Sequence, residues 1–287
     1  VIRAISCITR YLLCCIFANL YLSVSAQANT IIWQTDHRPP ASILKAPYQG
    51  QGFIDTIRDE LIEQLPQYQH IRSVSSLDRL FEEMNQGKEI CHPLLFVTEE
   101  RKKNAYFSIA ATITPSMRLV MRADVAQALY LKEPINLEQF ISNTRETFAI
   151  VKGRSYGPVI DSILALHNSN DNHVKINVSD NTTLFKLLEK NRVDFTFAYP
   201  FELNYYRTHN PNTQFKMFTI QGEADYTLGS VACSKTAWGK SAIENINSAL
   251  RKQRQQDNFI STISYWWPEE TTKQEFKDFY QNVFLTK

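Results

Sequence analysis

Residues 153–157 read Gly-Arg-Ser-Tyr-Gly, the spacing of a nucleophile elbow, in which a serine on a strand-to-helix turn attacks an ester. An acid and then a histidine must follow it. Downstream stand only His167, His173 and His209, far from the chain end where that arrangement places its histidine, and no His-Gly oxyanion segment precedes them. A second reading makes the segment a tight loop whose backbone amides, with Ser155, meet an anion at a helix N-terminus. It accounts for the same residues without a triad.

The other chemically suggestive run is Thr98, Glu99, Glu100 and Arg101, followed by Ala105 to Ser108. Taken alone it is a charged loop after a strand. The planar fork of Arg101 is nonetheless suited to gripping a carboxylate through two parallel hydrogen bonds. Metal chemistry finds no support: the six histidines show no i, i+4 pair and there is no Cys-x-x-Cys. Nucleotide binding fares no better, with neither a Walker loop nor Gly-x-Gly-x-x-Gly among eight glycines. No cofactor is expected.

The elements that must position these residues belong to a globular chain of 287 residues, 44% hydrophobic and 21% charged. Arg3 and Arg10, an apolar run from Tyr11 to Val24 and the small-residue exit Ser25 to Ala28 describe a secretory signal over 1–28. That run is short of the roughly 20 residues a spanning helix needs. An exported, periplasmic mature chain is expected. Beyond residue 28 the charge balances, with 29 acidic side chains against the same number of basic ones. This argues against a nucleic-acid groove or a polybasic membrane patch. Cys91 and Cys233 remain outside the signal, either bonded to each other in an oxidising compartment or buried as free thiols.

Short apolar strands alternate with amphipathic helices. Strands are expected at 30–34, 71–74, 89–97, 118–122, 147–151, 175–178 and 193–199, and helices at 53–65, 77–85, from Pro158, and at 183–191. Ser241 and Glu244 have the spacing of a capping box and predict a helix starting there. The rhythm predicts an α/β fold with mostly parallel sheets, and it restarts near residue 147, as two lobes of like construction would.

The order and spacing of Gly50 to Leu65, Gly87-Lys88, Thr98-x-x-Arg101, Phe107-Ser108, Ile150 to Gly153, Leu184 to Asp194 and Ser230 to the Ser241 region resemble the bacterial extracellular solute-binding proteins of family 3. That family includes the periplasmic amino-acid receptors of ABC importers. The resemblance implies a type II periplasmic-binding-protein fold: two α/β lobes, mixed mostly parallel sheets and two crossovers, near Met121 to Asp124 and Glu223 to Tyr226. Lobe 1 would comprise 29–121 with 226–287, and lobe 2 would comprise 122–225. By the same resemblance Arg101 binds a ligand carboxylate beside Thr98 and Phe96, Arg154, Ser155 and Tyr156 add contacts, and Asp36 or His37 meets the ligand's far end.

This sequence departs from the family at telling places. Tyr199 stands where an aspartate holds the ammonium of an amino acid, Phe96 where a small hydroxyl residue is usual, and Arg38 and Ala41 where an aromatic platform is usual. The expected ligand is therefore a carboxylate or other anion with an apolar or aromatic body, not a standard α-amino acid. The expected role is a monomeric receptor serving an ABC permease or a membrane sensor. Three alternatives stand beside it: a prephenate-type dehydratase using Glu202, Asp36 or His37, a serine hydrolase using Ser155, and a member that binds no small molecule. Packing of Phe96 against Tyr199 would favour the last.

Overall fold

A computed structural model describes residues 29–151, 154–167, 173–176 and 182–287. The expected signal segment, and Gly153 of the Gly-x-Ser-x-Gly run, lie outside the described residues. In chain order the strands are β1 (Thr30–Thr35), β2 (Gln69–Val74), β3 (Ile90–Leu95), β4 (Ala105–Pro115), β5 (Arg118–Arg122), β6 (Phe148–Val151), β7 (His173–Ile176), β8 (Phe195–Ala198), β9 (Phe215–Phe218) and β10 (Tyr226–Ser234). The α-helices are α1 (Phe53–Gln64), α2 (Leu77–Asn85), α3 (Ala123–Ala128), α4 (Leu137–Asn143), α5 (Pro158–Leu166), α6 (Thr182–Glu189), α7 (Pro200–His209), α8 (Ala237–Gln253), α9 (Phe259–Ile263) and α10 (Gln274–Phe279).

Two five-stranded sheets result, in the orders β2-β1-β3-β10-β4 and β7-β6-β8-β5-β9. Strands β2, β1 and β3 are parallel, and β10 runs antiparallel to both β3 and β4. In the second sheet β5 is the one reversed strand. Each sheet thus has four strands in one direction and one against it, and the two share one wiring pattern. The lobes are of like construction.

Two sequence expectations change, and the alternative left open for the cysteines resolves to the bond. The chain leaves the first sheet at Pro115 and enters the second at Arg118. The first crossing therefore falls at Ser116 and Met117, not at 121–124, and β5 belongs with the second sheet. Both crossing residues are fully buried, so the sequence has no polar break there to mark a hinge. The return crossing runs from Phe218 to Tyr226. Helix α8 starts at Ala237 under Thr236, whose Oγ1 accepts the Gly239 N–H at 3.0 Å. Ser241 and Glu244 lie within its body. Gly239 hides that start, but no other residue fits: a Cβ there would sit 1.8 Å from the Ser234 carbonyl oxygen. Finally, Cys91 on β3 and Cys233 on β10 are register partners and form a disulfide.

Candidate functional site: a two-chamber cleft between the lobes

Arg101 opens a short 3₁₀ turn, its N–H donating to Thr98 Oγ1 at 3.2 Å. This turn aims the guanidinium inward, where it donates to the Phe96 carbonyl at 3.1 Å and lies 5.3 Å from the centre of the Phe81 ring. The residue is only 9% exposed, and no carboxylate lies within 4.0 Å of it among the described residues. Burial, and then the charge of Arg38, lower its hold on its proton. An anion would relieve both effects.

Arg38 and Ala41 reach the same place on a loop pinned from below. Asp55, in the first turn of α1, accepts from Ser42 Oγ at 2.9 Å, from the Ile43 N–H at 2.8 Å and from Arg58 at 3.0 Å. Gly52 lets that loop press close, since a Cβ there would lie 2.3 Å from the Ala41 carbonyl oxygen. His92, on β3 behind the arginines, is fully buried, and its imidazole is held well below the ordinary histidine range. Burial is the main cause, and the charges of Arg38 and Arg101 add to it.

The second lobe supplies Arg154. One guanidinium nitrogen donates to both carboxylate oxygens of Glu202, at 2.9 and 3.0 Å, and both side chains are almost wholly buried. The charge lies over the rings of Tyr156 and Tyr199, at 5.2 and 5.5 Å. Burial alone would loosen the Arg154 proton, but Glu202 and the two tyrosines outweigh it and the guanidinium is held more tightly than in water. Glu202 sits three residues into α7, where it also accepts the Tyr199 N–H at 3.0 Å. With Pro200 at the first helical position, this is how the sequence starts that helix.

Two adjoining chambers open between the lobes. One, of about 50 Å³, holds Arg38, Arg101, Arg154 and Glu202 among aromatic walls. The other, of about 400 Å³, lies towards the crossings and includes Thr98, Tyr156, Glu223 and Thr227. Phe96, Ser155 and Tyr199 line both. The Phe96 and Tyr199 rings, 6.0 Å apart and tilted, stand between them.

Beside the chambers the lobes meet through rings. Phe201 of α7 packs on Phe53 of α1 at 5.4 Å and on Trp267 at 5.0 Å. Further out Trp266 meets Tyr205 at 5.2 Å and Tyr48 meets His209 at 6.0 Å. Phe53 and Phe201 line the small chamber and are site residues that the sequence reading missed. The helical spacing of Phe53 marks it as ordinary core.

Of the residues singled out from sequence, the structure brings Phe96, Thr98, Arg101, Arg154, Ser155, Tyr156 and Tyr199 to these chambers. It does not bring Asp36 or His37. Asp36 lies 3.6 Å from Arg38, and His37 accepts the Leu44 N–H and faces a separate surface hollow with Lys45 and Tyr205. Ser155 Oγ donates to Asp161 at 2.5 Å and accepts the Gly157 N–H. The hydroxyl is held by an acid without an intervening imidazole, which is not the geometry of a hydrolase nucleophile. The oxygens of Glu202, a suggested general acid, are occupied by Arg154 and the Tyr199 N–H. Among the described residues no three His, Cys, Asp or Glu side chains come together to hold a metal ion, and no helix is long and apolar enough to cross a membrane.

No protein-family model matches the sequence, and no curated protein matches it. Solved structures do match in shape. A histidine kinase sensor domain with similarity to periplasmic binding proteins superposes with a TM-score of 0.66 at 12% identity, over 84% of this chain and 96% of that one. An arginine-binding protein from T. maritima gives 0.62 at 18% identity, over 85% and 97%. The VFT2 domain of Bordetella pertussis BvgS gives 0.60 at 14% identity, over 84% and 94%. In wiring, in lobe arrangement and in these superpositions, the chain has the two-lobe α/β fold of the periplasmic binding proteins.

Proposed function

We propose that the protein is a solute receptor that captures a small carboxylate or other organic anion between its lobes. The observation that carries this reading is Arg101: a buried guanidinium in an interlobe chamber that also holds Arg38 and Arg154, with no carboxylate within 4.0 Å of it among the described residues. A buried unpaired charge is costly, and a ligand anion supplies its partner. The small chamber accommodates the anionic head, and the larger one, beyond Phe96 and Tyr199, takes the body. Tyr199 and the committed Glu202 leave no carboxylate for an α-ammonium beside Arg101, so the ligand is not a standard α-amino acid. The reading extends to a monomer exported by a signal over 1–28, akin to family 3. The shape neighbours include both a sensor domain and an arginine-binding protein, in keeping with an ABC permease or a membrane sensor as the partner.

The test is a thermal-shift screen of residues 29–287 with aliphatic and aromatic carboxylates, repeated with Arg101→Ala. A ligand at 100 times its Kd adds about 2.7 kcal/mol, a rise of roughly 5–10 °C for a chain of this size. Arg101→Ala is expected to abolish it, since truncating a buried charge-assisted pair costs about 2–5 kcal/mol. An undiminished shift in that variant would remove the clamp assignment.

The ring contacts favour a second reading, that aromatic side chains fill the cleft and the lobes close without a solute. In that case no ligand shifts the melting point, and small-angle scattering gives the closed shape for the free protein.

A further inference from the structure

The two carboxylates that line the chambers are in opposite situations. Glu202 is committed to Arg154. Glu223, on the return crossing between β9 and β10, accepts the Ile160 N–H in the first turn of α5. Its Oε1, however, is shielded from solvent and has no hydrogen-bond partner. No cationic side chain lies within 4.0 Å of it among the described residues. A buried carboxylate oxygen left bare is destabilising.

Beside that oxygen the backbone carries no side chain. Gly157 has φ +104°, and a Cβ there would come within 3.3 Å of Glu223 Oε1. Glycine therefore leaves clear the space that any side chain would fill. Arg118 is near enough to favour the charged form but does not pair with it, while Asp161 adds negative potential. Lys287 also lines the chamber and is itself exposed. Burial raises the Glu223 carboxyl above the ordinary carboxylate range, and a bound cation would reverse that effect.

Resting on the receptor reading above, we infer that Glu223 accepts a distal cationic group of the ligand, an ammonium or guanidinium at the far end from the carboxylate held at Arg101. The 50 Å³ chamber has room for a carboxylate and little else, whereas the 400 Å³ chamber lies within the range of ordinary ligand pockets. Phe96, Ser155 and Tyr199 line both chambers, which places the two side by side, and a ligand that engages both runs past these residues. The ligand class is thus an ω-amino or ω-guanidino acid lacking the α-ammonium for which the cleft has no acceptor.

Isothermal titration tests this with 4-aminobutyrate, 5-aminovalerate and 6-aminohexanoate against butyrate, valerate and hexanoate, and with norvaline as the α-amino control. At least one ω-amino acid is expected to bind about tenfold or more tightly than its unsubstituted partner, the gain of a charge-assisted hydrogen bond. Glu223→Gln should erase that margin. Glu223→Asp, whose carboxylate is retracted by one methylene, should move the preference to a longer acid. Equal binding of ω-amino and plain acids, an unaltered margin in Glu223→Gln, or a preference for norvaline overturns the inference while the receptor stands. Binding of none of these acids by the wild type overturns the inference and counts against the receptor reading with it.

Discussion

Removing Glu202 strands a positive charge. In Glu202→Ala the Arg154 guanidinium stays between the Tyr156 and Tyr199 rings, 5% exposed, with both of its carboxylate bonds gone and one of its nitrogens already without a partner. Breaking a buried pair from one side costs about 3–5 kcal/mol. Loss of the acceptor for the Tyr199 N–H at the start of α7 adds roughly 1 kcal/mol. The expected total is near 5 kcal/mol, a large share of the stability of an ordinary domain. Replacing both partners with apolar residues of similar volume, Arg154→Met with Glu202→Leu, is expected to fall within about 1 kcal/mol of wild type, because aromatic walls already surround the site. Urea unfolding of the wild type, Arg154→Met, Glu202→Leu and the double variant gives the coupling energy directly. A cost below about 1 kcal/mol for Glu202→Ala, or simple additivity in the double variant, would mean that the pair is hydrated.

His92 is held below its ordinary range in the folded protein, so the unfolded chain binds its proton more tightly. Its contribution to stability is complete above pH 6.5 and is lost as pH falls through that value, at about 1.4 kcal/mol per pH unit. His92→Gln should flatten the urea midpoint between pH 7.5 and 5.5; an unchanged slope assigns the loss elsewhere. The disulfide closes a loop of 142 residues, which by chain entropy contributes about 5 kcal/mol. Cys91→Ser with Cys233→Ser should lower the unfolding free energy by about that amount, and a loss under 1 kcal/mol would contradict the bond. Gly157→Ala places a Cβ at a left-handed φ and against Glu223, and should cost about 1–3 kcal/mol by thermal unfolding. A neutral result would show that the loop relaxes freely.

Hydrophobic period carried most of the fold. The stripe from Phe53 to Leu65 is legible because its apolar residues recur at helical spacing, and the strand at Arg118 to Arg122 because a short apolar run, buried on both faces, is bounded by arginines. Strand β4 was not, since eight of its eleven residues are buried, which removes the alternation that marks a strand. The candidate chamber is legible where chemistry is local: Arg101 lies three residues from the Thr98 that orients it. Glu223 carries no such signal. Its setting depends on Gly157 and Ile160, more than sixty residues away in sequence, and on the crossing that brings them together.

Tyr226 opens β10 directly opposite Pro115, the last residue of β4, and the two strands run antiparallel. Topologically, everything from Ser116 to Asp225 is therefore the loop of one β-hairpin. The second lobe is an insertion hung from a turn, with entry and exit on neighbouring strands and with Cys91–Cys233 riveting the strand on the other side. Excising it and closing the gap with a tight turn leaves the first sheet with every strand and the bond intact. The first sheet is thus complete without the second lobe, which hangs whole from one turn and carries its own half of the cleft.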